Sequence, residues 1–458
     1  MRWQFAATVI MALVGCQPAP QSEVPSRAAM AGSAARLPPM KMFADRPAAT
    51  DPVTASNDDI ARDFLDLSFK LESGRDLPVL TRFEGPITVR LAGTPPAGIR
   101  TELDRVLGRL RREAGLDIRS TSSGGANITI QSVSGDQIRR YLPQAACFVV
   151  PNVSSLAEYN RVRRGDQTSW SDLKTRERIA IFVPNDVSPQ EVRDCLHEEL
   201  AQAIGPLNDL YRLESSVFND DNIHTVLTPF DMLILRTYYA PELQSGMSRY
   251  EVERVLPEIL SRLNPAGDRR PSRWLSETPR DWIEAIQTAL GPGTRPEARM
   301  RAATRALRTA ESEGWDDHRL AFSHYAYARL VQASDPQEAL RHYRFADAIY
   351  ARRPETAIHR SFVRAQLAAD ALSRNSGDQA LGFLRGQPEL AQKYENAALL
   401  ASLMMLQAQA LDATGRGDAA QAIRRDSLGW ARYGFGPDWA VRAKLSEIAM
   451  LSPSQTGG

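Results

Sequence analysis

The sequence predicts an α+β unit followed by an all-α unit of paired helices, and three observations carry that prediction. Between about residues 57 and 247, short apolar runs with strand-like alternation are interspersed with segments of helical period. From 248 onward nearly every segment is helical in period. Beyond residue 295, three turn-plus-helix segments recur at steps of 41 and 42 residues, counted from Ala339 to Ala380 to Ala422.

The chain opens with Arg2 and an apolar run over residues 5–14, FAATVIMALV. Such a run suits the hydrophobic part of a signal peptide, whereas a spanning helix needs about 20 residues. It ends in Leu13-Val14-Gly15-Cys16, which resembles the bacterial lipobox. That resemblance implies a signal peptide over 1–15, lipidation of Cys16 and a multi-chain membrane anchor. Gln17 in place of Asp implies, by the same resemblance, a cell-envelope protein held at the outer membrane and facing the periplasm. Residues 16–56 are rich in Pro, Ala and Ser without periodicity, so a flexible tether is expected there.

In the α/β unit, residues 58–72 predict an amphipathic helix, 86–92 a strand and 99–114 a second helix with Leu103, Val106, Leu107 and Leu110 on one face. Strands are expected at 117–121, 127–133, 146–150 and 178–183. Ser188-Pro189-Gln190-Glu191 then supplies an N-cap, a first-turn proline and a capping-box acid, opening a helix over 189–204 that stops at Gly205. Apart from Cys16 the chain has two cysteines, Cys147 and Cys195. Outside the cytoplasm such a pair tends to be oxidised, so a disulfide is preferred over two separate buried thiols.

Residues 248–294 are expected to be a helical linker, 295–452 a helical repeat-like domain and 453–458 a disordered tail. The three recurring segments begin at Asp335-Pro336, Gly377-Asp378 and Gly417-Asp418, each preceded by another helix, at 318–331, 356–373 and 396–413. The pattern resembles helical hairpins of the tetratricopeptide kind, with a longer period and without the signature aromatic positions; an irregular helical domain stays open. Such hairpins imply a protein partner bound through the C-terminal helices. With 56 basic and 55 acidic residues, nothing points to nucleic acid.

The segment most suggestive of chemistry is 194–209, DCLHEELAQAIGPLND. His197-Glu198 suggests the zinc motif His-Glu-x-x-His, but Ala201 stands where the second histidine is needed. One residue later, Glu198-Glu199-x-x-Gln202-x-x-Gly205-x-x-Asn208 overlays the extended metzincin pattern His-Glu-x-x-His-x-x-Gly-x-x-His/Asp. The metzincin resemblance implies a mixed sheet with a strand–helix–strands order ahead of an active-site-type helix. It assigns metal-ligand places to Glu198, Gln202 and Asn208 or Asp209, and the general-base place to Glu199. It also implies a Ser-x-Met turn followed by a capped helix; here Ser216-Val217-Phe218 precedes Leu227-Thr228-Pro229-Phe230-Asp231. More narrowly, residues 57–247 resemble DUF2927, a family of bacterial lipoproteins without assigned activity. The resemblance rests on the Glu-Glu-x-x-Gln-x-x-Gly-x-x-Asn-Asp run, Phe218-Asn219-Asp220 and the Leu-Thr-x-x-Asp helix.

A metzincin zinc would lower the pKa of its water while a glutamate removes the proton. Replacing imidazoles by amides weakens zinc binding, and an all-oxygen set suits calcium better. Zinc, calcium or no metal therefore stay open. The favoured reading is a pseudo-peptidase or binding module, with an active metal-dependent peptidase as the alternative. The Ser171-x-x-Lys174 and Arg416-Gly417-Asp418 matches lack companion motifs, and the histidines at 318, 324, 342 and 359 show no metal-ligand spacing.

Overall fold

The computed structural model describes residues 37–43, 52–143 and 145–451; the leader, Cys16 and the 453–458 tail lie outside them. Helix α1 (Asn57–Ser68) begins at Ser56, whose side chain accepts from the Asp59 amide, and buries Ile60, Phe64 and Leu67. There follow β1 (Ile87–Gly93), α2 (Ile99–Glu113), β2 (Ile118–Ser120), β3 (Ile128–Val133), α3 (Gly135–Arg139), β4 (Phe148–Pro151), α4 (Leu156–Val162) and β5 (Ile179–Pro184). The five strands form one sheet in the order β2-β1-β3-β5-β4. Its pairs are parallel except β4–β5, and Ile130 sits opposite Ile181.

Every residue of β5 is buried, because both faces of the sheet are covered. Ile179, Ile181 and Val183 belong to the main core of this unit, whereas Ala180 and Phe182 point into a smaller cluster with Ile138 and Leu156. Those last two residues come from α3 and α4, which the sequence did not announce. Both helices are short, five and seven residues, and are held by serine caps at Ser134 and Ser155. The mixed α+β architecture stands as expected.

Next come α5 (Pro189–Ile204), α6 (Pro229–Tyr238) and α7 (Arg249–Leu263). Helix α7 falls in the stretch expected to be linker, yet Val252, Leu256, Ile259 and Leu260 lie in the α/β core. Helix α8 (Arg280–Leu290) instead sends Trp282, Ala285 and Ile286 into the core of the helical region. The expected linker is thus divided between two hydrophobic cores.

The C-terminal region is helical throughout its regular structure: α9 (Pro296–Ser312), α10 (His318–Val331), α11 (Pro336–Tyr350), α12 (Ala357–Ser373), α13 (Gly377–Leu384), α14 (Gln387–Lys393), α15 (Ala397–Ala413), α16 (Gly417–Phe435) and α17 (Asp438–Ala449). Helices α11, α13 and α16 begin at the three recurring turns. Gly434 of α16 lies against the α15 backbone, where an added Cβ would come within 2.5 Å of the Ala398 nitrogen.

Residues 37–43, within the stretch expected to be a tether, lie against α16. The Lys41 amide donates to the Gly429 carbonyl at 3.0 Å, Phe43 packs on Trp430 at a 4.7 Å ring separation, and Leu37 is buried in the helical core. At least this part of the stretch is folded onto the body. Among the described residues no helix is long and apolar enough to cross a membrane.

Candidate functional site

Helix α5 carries the site. Ser188 accepts from the Glu191 amide, Pro189 occupies the first turn, and the helix packs on β5 and α2. Cys147, just before β4, meets Cys195 with Cα atoms 5.9 Å apart, within disulfide range. The bond clips the antiparallel edge strand to the middle of α5. At the other end, the buried Arg176 guanidinium donates to the carbonyls of Gln202 (2.7 Å), Ala203 (2.9 Å) and Gly205 (2.6 Å). A cation there offsets the negative end of the helix dipole and satisfies carbonyls that have no partner within the helix. Gly205 is not in the left-handed conformation. It is required by close approach, since a Cβ would lie 2.6 Å from Leu235 Cδ2 on α6.

The five sequence-predicted residues do not act as one set. Gln202 Nε2 donates to Glu72 Oε1 at 3.4 Å, and Asn208 Nδ2 donates to the Asp66 carbonyl at 2.9 Å. Asn208 therefore pins the loop after α5 to the end of α1, helped by Arg212, which bonds Asp63 (2.7 Å) and Asp66 (2.6 Å). Glu198, Glu199 and Asp209 do come together. They are joined by Glu72 from the loop after α1 and by Asp220 from the loop before α6. Burial and then Asp220 raise the Glu72 carboxyl, against the lowering influence of Asp209 and Gln202.

Five carboxyl groups in one partly buried cluster cannot all carry charge cheaply. Burial first, and then Glu72, Asp220 and Asp194, push the Glu198 carboxyl up to about 8. Glu199 and Asp209 are raised well above the carboxylate range by burial and by the surrounding carboxylates. Asp220 accepts from Tyr211 (2.9 Å) and from Gln287 of α8 (3.2 Å), and the nearby Arg280 favours its charge, although burial still raises it. Glu199 Oε2 and Asp209 Oδ1 are buried and have no hydrogen-bond partner among the described residues. Such a cluster can share protons between its carboxyl groups. No group of three or more His, Cys, Asp or Glu side chains among the described residues is placed to hold a metal ion.

The histidines stand apart from this cluster. Nδ1 of His197 accepts from the Leu227 amide at 3.2 Å, while burial and Arg109, Arg193 and Arg105 keep the ring neutral. The Nε2 atom of His224 faces the Glu214 carbonyl at 3.3 Å, and its ring packs against His359 and Tyr394. The turn after the site is tied to α6: Ser216 donates to Asp231, whose other oxygen accepts from the Val217 amide at 3.2 Å, and Phe218 is wholly buried. Glu72 and Asp220 are the members the sequence did not single out as ligands. Asp220 lies in the Phe-Asn-Asp segment, the one sequence signal that pointed toward it, and the structure gives it φ of 38°, a left-handed backbone uncommon outside glycine.

A cleft of about 320 Å³ opens on the other side of the same loop, between the α/β and helical regions. Leu213, Val226, Phe230 and Leu275 give it apolar walls, and Arg62, Arg273 and Glu355 lie among its polar lining. No curated protein and no solved structure matches the chain. Residues 57–258, from the start of α1 into α7, match the family model described as "Protein of unknown function (DUF2927)".

Proposed function

We propose that this protein is a cell-envelope lipoprotein, anchored through lipid on Cys16 at the outer membrane and facing the periplasm. Its α/β unit is a metallopeptidase-shaped module that binds rather than cleaves, and its tetratricopeptide-like helical region engages a protein partner. The shape is supported by the order β1–α2–β2–β3–β4–β5 ahead of α5 and by the Ser216–Phe218 turn bonded to Asp231. The hairpin reading is supported by the successive pairs α10/α11, α12/α13 and α15/α16. The interregion cleft, which combines apolar walls with many charged side chains, is a concavity that suits a peptide segment.

The observation that carries the non-catalytic reading is the use of the two amides. Gln202 and Asn208, which the metzincin resemblance assigns to metal, are committed to Glu72 and to the Asp66 carbonyl. The deciding experiment combines metal analysis of chelator-free protein with a peptide-cleavage screen. The expected result is no cleavage, with a metal content that Glu198→Gln leaves unchanged. Cleavage abolished by Glu199→Gln, together with metal lost in Glu198→Gln, would overturn the proposal.

A second reading, a metal-dependent envelope peptidase with Glu199 as general base, is favoured by one observation. The Oε2 atom of Glu199 is buried without a hydrogen-bond partner among the described residues, and burial raises its affinity for the proton that a general base must take up.

A further inference from the structure

The histidines of the helical region fall into two groups. His318 and His359 belong to the junction with the α/β unit: His318 Nε2 faces the Tyr211 carbonyl at 2.7 Å and His359 Nε2 faces Asp221 at 2.9 Å. His324 and His342 belong to no such junction. One lies on α10 and the other on α11, and their Nδ1 atoms are 2.8 Å apart.

The surroundings fix how these two rings present themselves. His342 Nε2 faces Glu338 Oε1, one turn earlier on α11, at 3.3 Å. A neutral imidazole has one N–H and one lone pair. With Nε2–H given to the carboxylate, His342 Nδ1 keeps its lone pair and directs it at His324. Tyr327 flanks His342 at a ring separation of 4.6 Å, and Phe345 stacks on His324 at 5.3 Å and 25°. Phe345 is 55 % exposed and the His342 side chain 14 %, so small solutes can reach the pair from one side.

We propose that His324 and His342 form a two-imidazole chelate for a divalent transition ion of the zinc or copper class. Glu338 is the positioning residue for His342, the role that a carboxylate behind a metal-bound histidine commonly has. Two nitrogens bound to one tetrahedral ion at ~2.0 Å stand about 3.3 Å apart. The rings therefore need to separate by about half an ångström and to tilt by roughly 35° each, so that both lone pairs converge on the ion. Binding requires no net loss of a proton: the hydrogen on His324 Nδ1 moves to Nε2, and both Nδ1 lone pairs then face the ion. Water fills the remaining positions.

The test is titration of CuCl2 and ZnCl2 into the full-length protein, with the copper spectrum read by electron paramagnetic resonance. One ion per chain is expected, with hyperfine structure from two imidazole nitrogens. His324→Gln and His342→Gln should each weaken the site tenfold or more and remove one nitrogen from the spectrum. Glu338→Gln should weaken it roughly tenfold at unchanged stoichiometry, and Glu198→Gln should leave it untouched. Absence of a one-to-one event, or one that survives both histidine substitutions, overturns the proposal. Should His324→Gln fail to fold, the partly exposed His342→Gln decides alone.

Discussion

The loop from 208 to 224 has two faces, and they manage buried charge in opposite ways. Toward the helical region, Glu214 is met by Arg273 at 2.6 Å and by Arg353 at 2.9 Å. Burial works against its charge, but Arg353, His318 and Arg273 hold its carboxyl below the ordinary range. His359 Nε2 lies 2.9 Å from Asp221 Oδ2 on the same face. Toward α5, Glu72, Glu198, Glu199, Asp209 and Asp220 face one another, with Arg280 the nearby cation acting on Asp220. The compensated face behaves as a junction between two folded units. The uncompensated face stores electrostatic free energy, which a proton or a bound cation would relieve.

The strongest way to disturb the second face alone is to reduce the disulfide. Cys147 and Cys195 are 48 positions apart, and closing a loop of that size contributes about 4 kcal/mol in the chain-entropy account. Reduction should lower stability by that order and raise hydrogen exchange in α5. A loss under 1 kcal/mol would mean that α5 is held by packing alone. Breaking the first face should cost somewhat less. Glu214→Ala leaves two partly exposed arginines without their anion, and a destabilisation of about 3 kcal/mol is expected by chemical denaturation. No measurable change would remove the distinction between the faces.

Two pH measurements sharpen the comparison. The Glu198 carboxyl is raised in the folded chain to about 8, above its unfolded value. Its share of stability is therefore full below about pH 4.5 and is lost as pH rises toward 8. Glu198→Gln should flatten the decline between pH 5 and pH 9 by on the order of 2 kcal/mol. His224 moves the other way: burial and the neighbouring His359 lower it to about 4. Its contribution is present above about pH 6.5 and is lost as pH falls toward 4. His224→Gln should remove about 1 kcal/mol of the acid-side loss. Identical pH profiles for both variants and the parent would refute the assignment of titrating groups to the two faces.

How much of this was legible beforehand depended on whether the signal was local. Helix α5 was readable to its ends because Ser188, Pro189 and Glu191 write its start within four residues, and the strands were readable because burial on both faces of β5 makes a continuous apolar run. The stop at Gly205 was right in place but rests on Leu235, which a sequence reading cannot see. The candidate ligands illustrate the limit. Asn208 and Asp209 are neighbours in the chain, and only the pairing of the loop with α1 decides that the amide turns to Asp66 while the acid joins Glu198. Glu72 and Asp220 enter from other loops, and His324 meets His342 only because α10 and α11 pack together. Spacing within one segment carries no record of such meetings.

The seating of Leu37 to Phe43 has a mechanical consequence. Because Lys41 is bonded to Gly429, Phe43 is seated on Trp430 and Arg193 of α5 lies over the Phe43 ring at 5.0 Å, a pull on the chain upstream of Leu37 is transmitted first to α16 and α5. Such a pull therefore acts on α16 and on the α5 helix that bears the carboxyl cluster, rather than on α1 or the sheet.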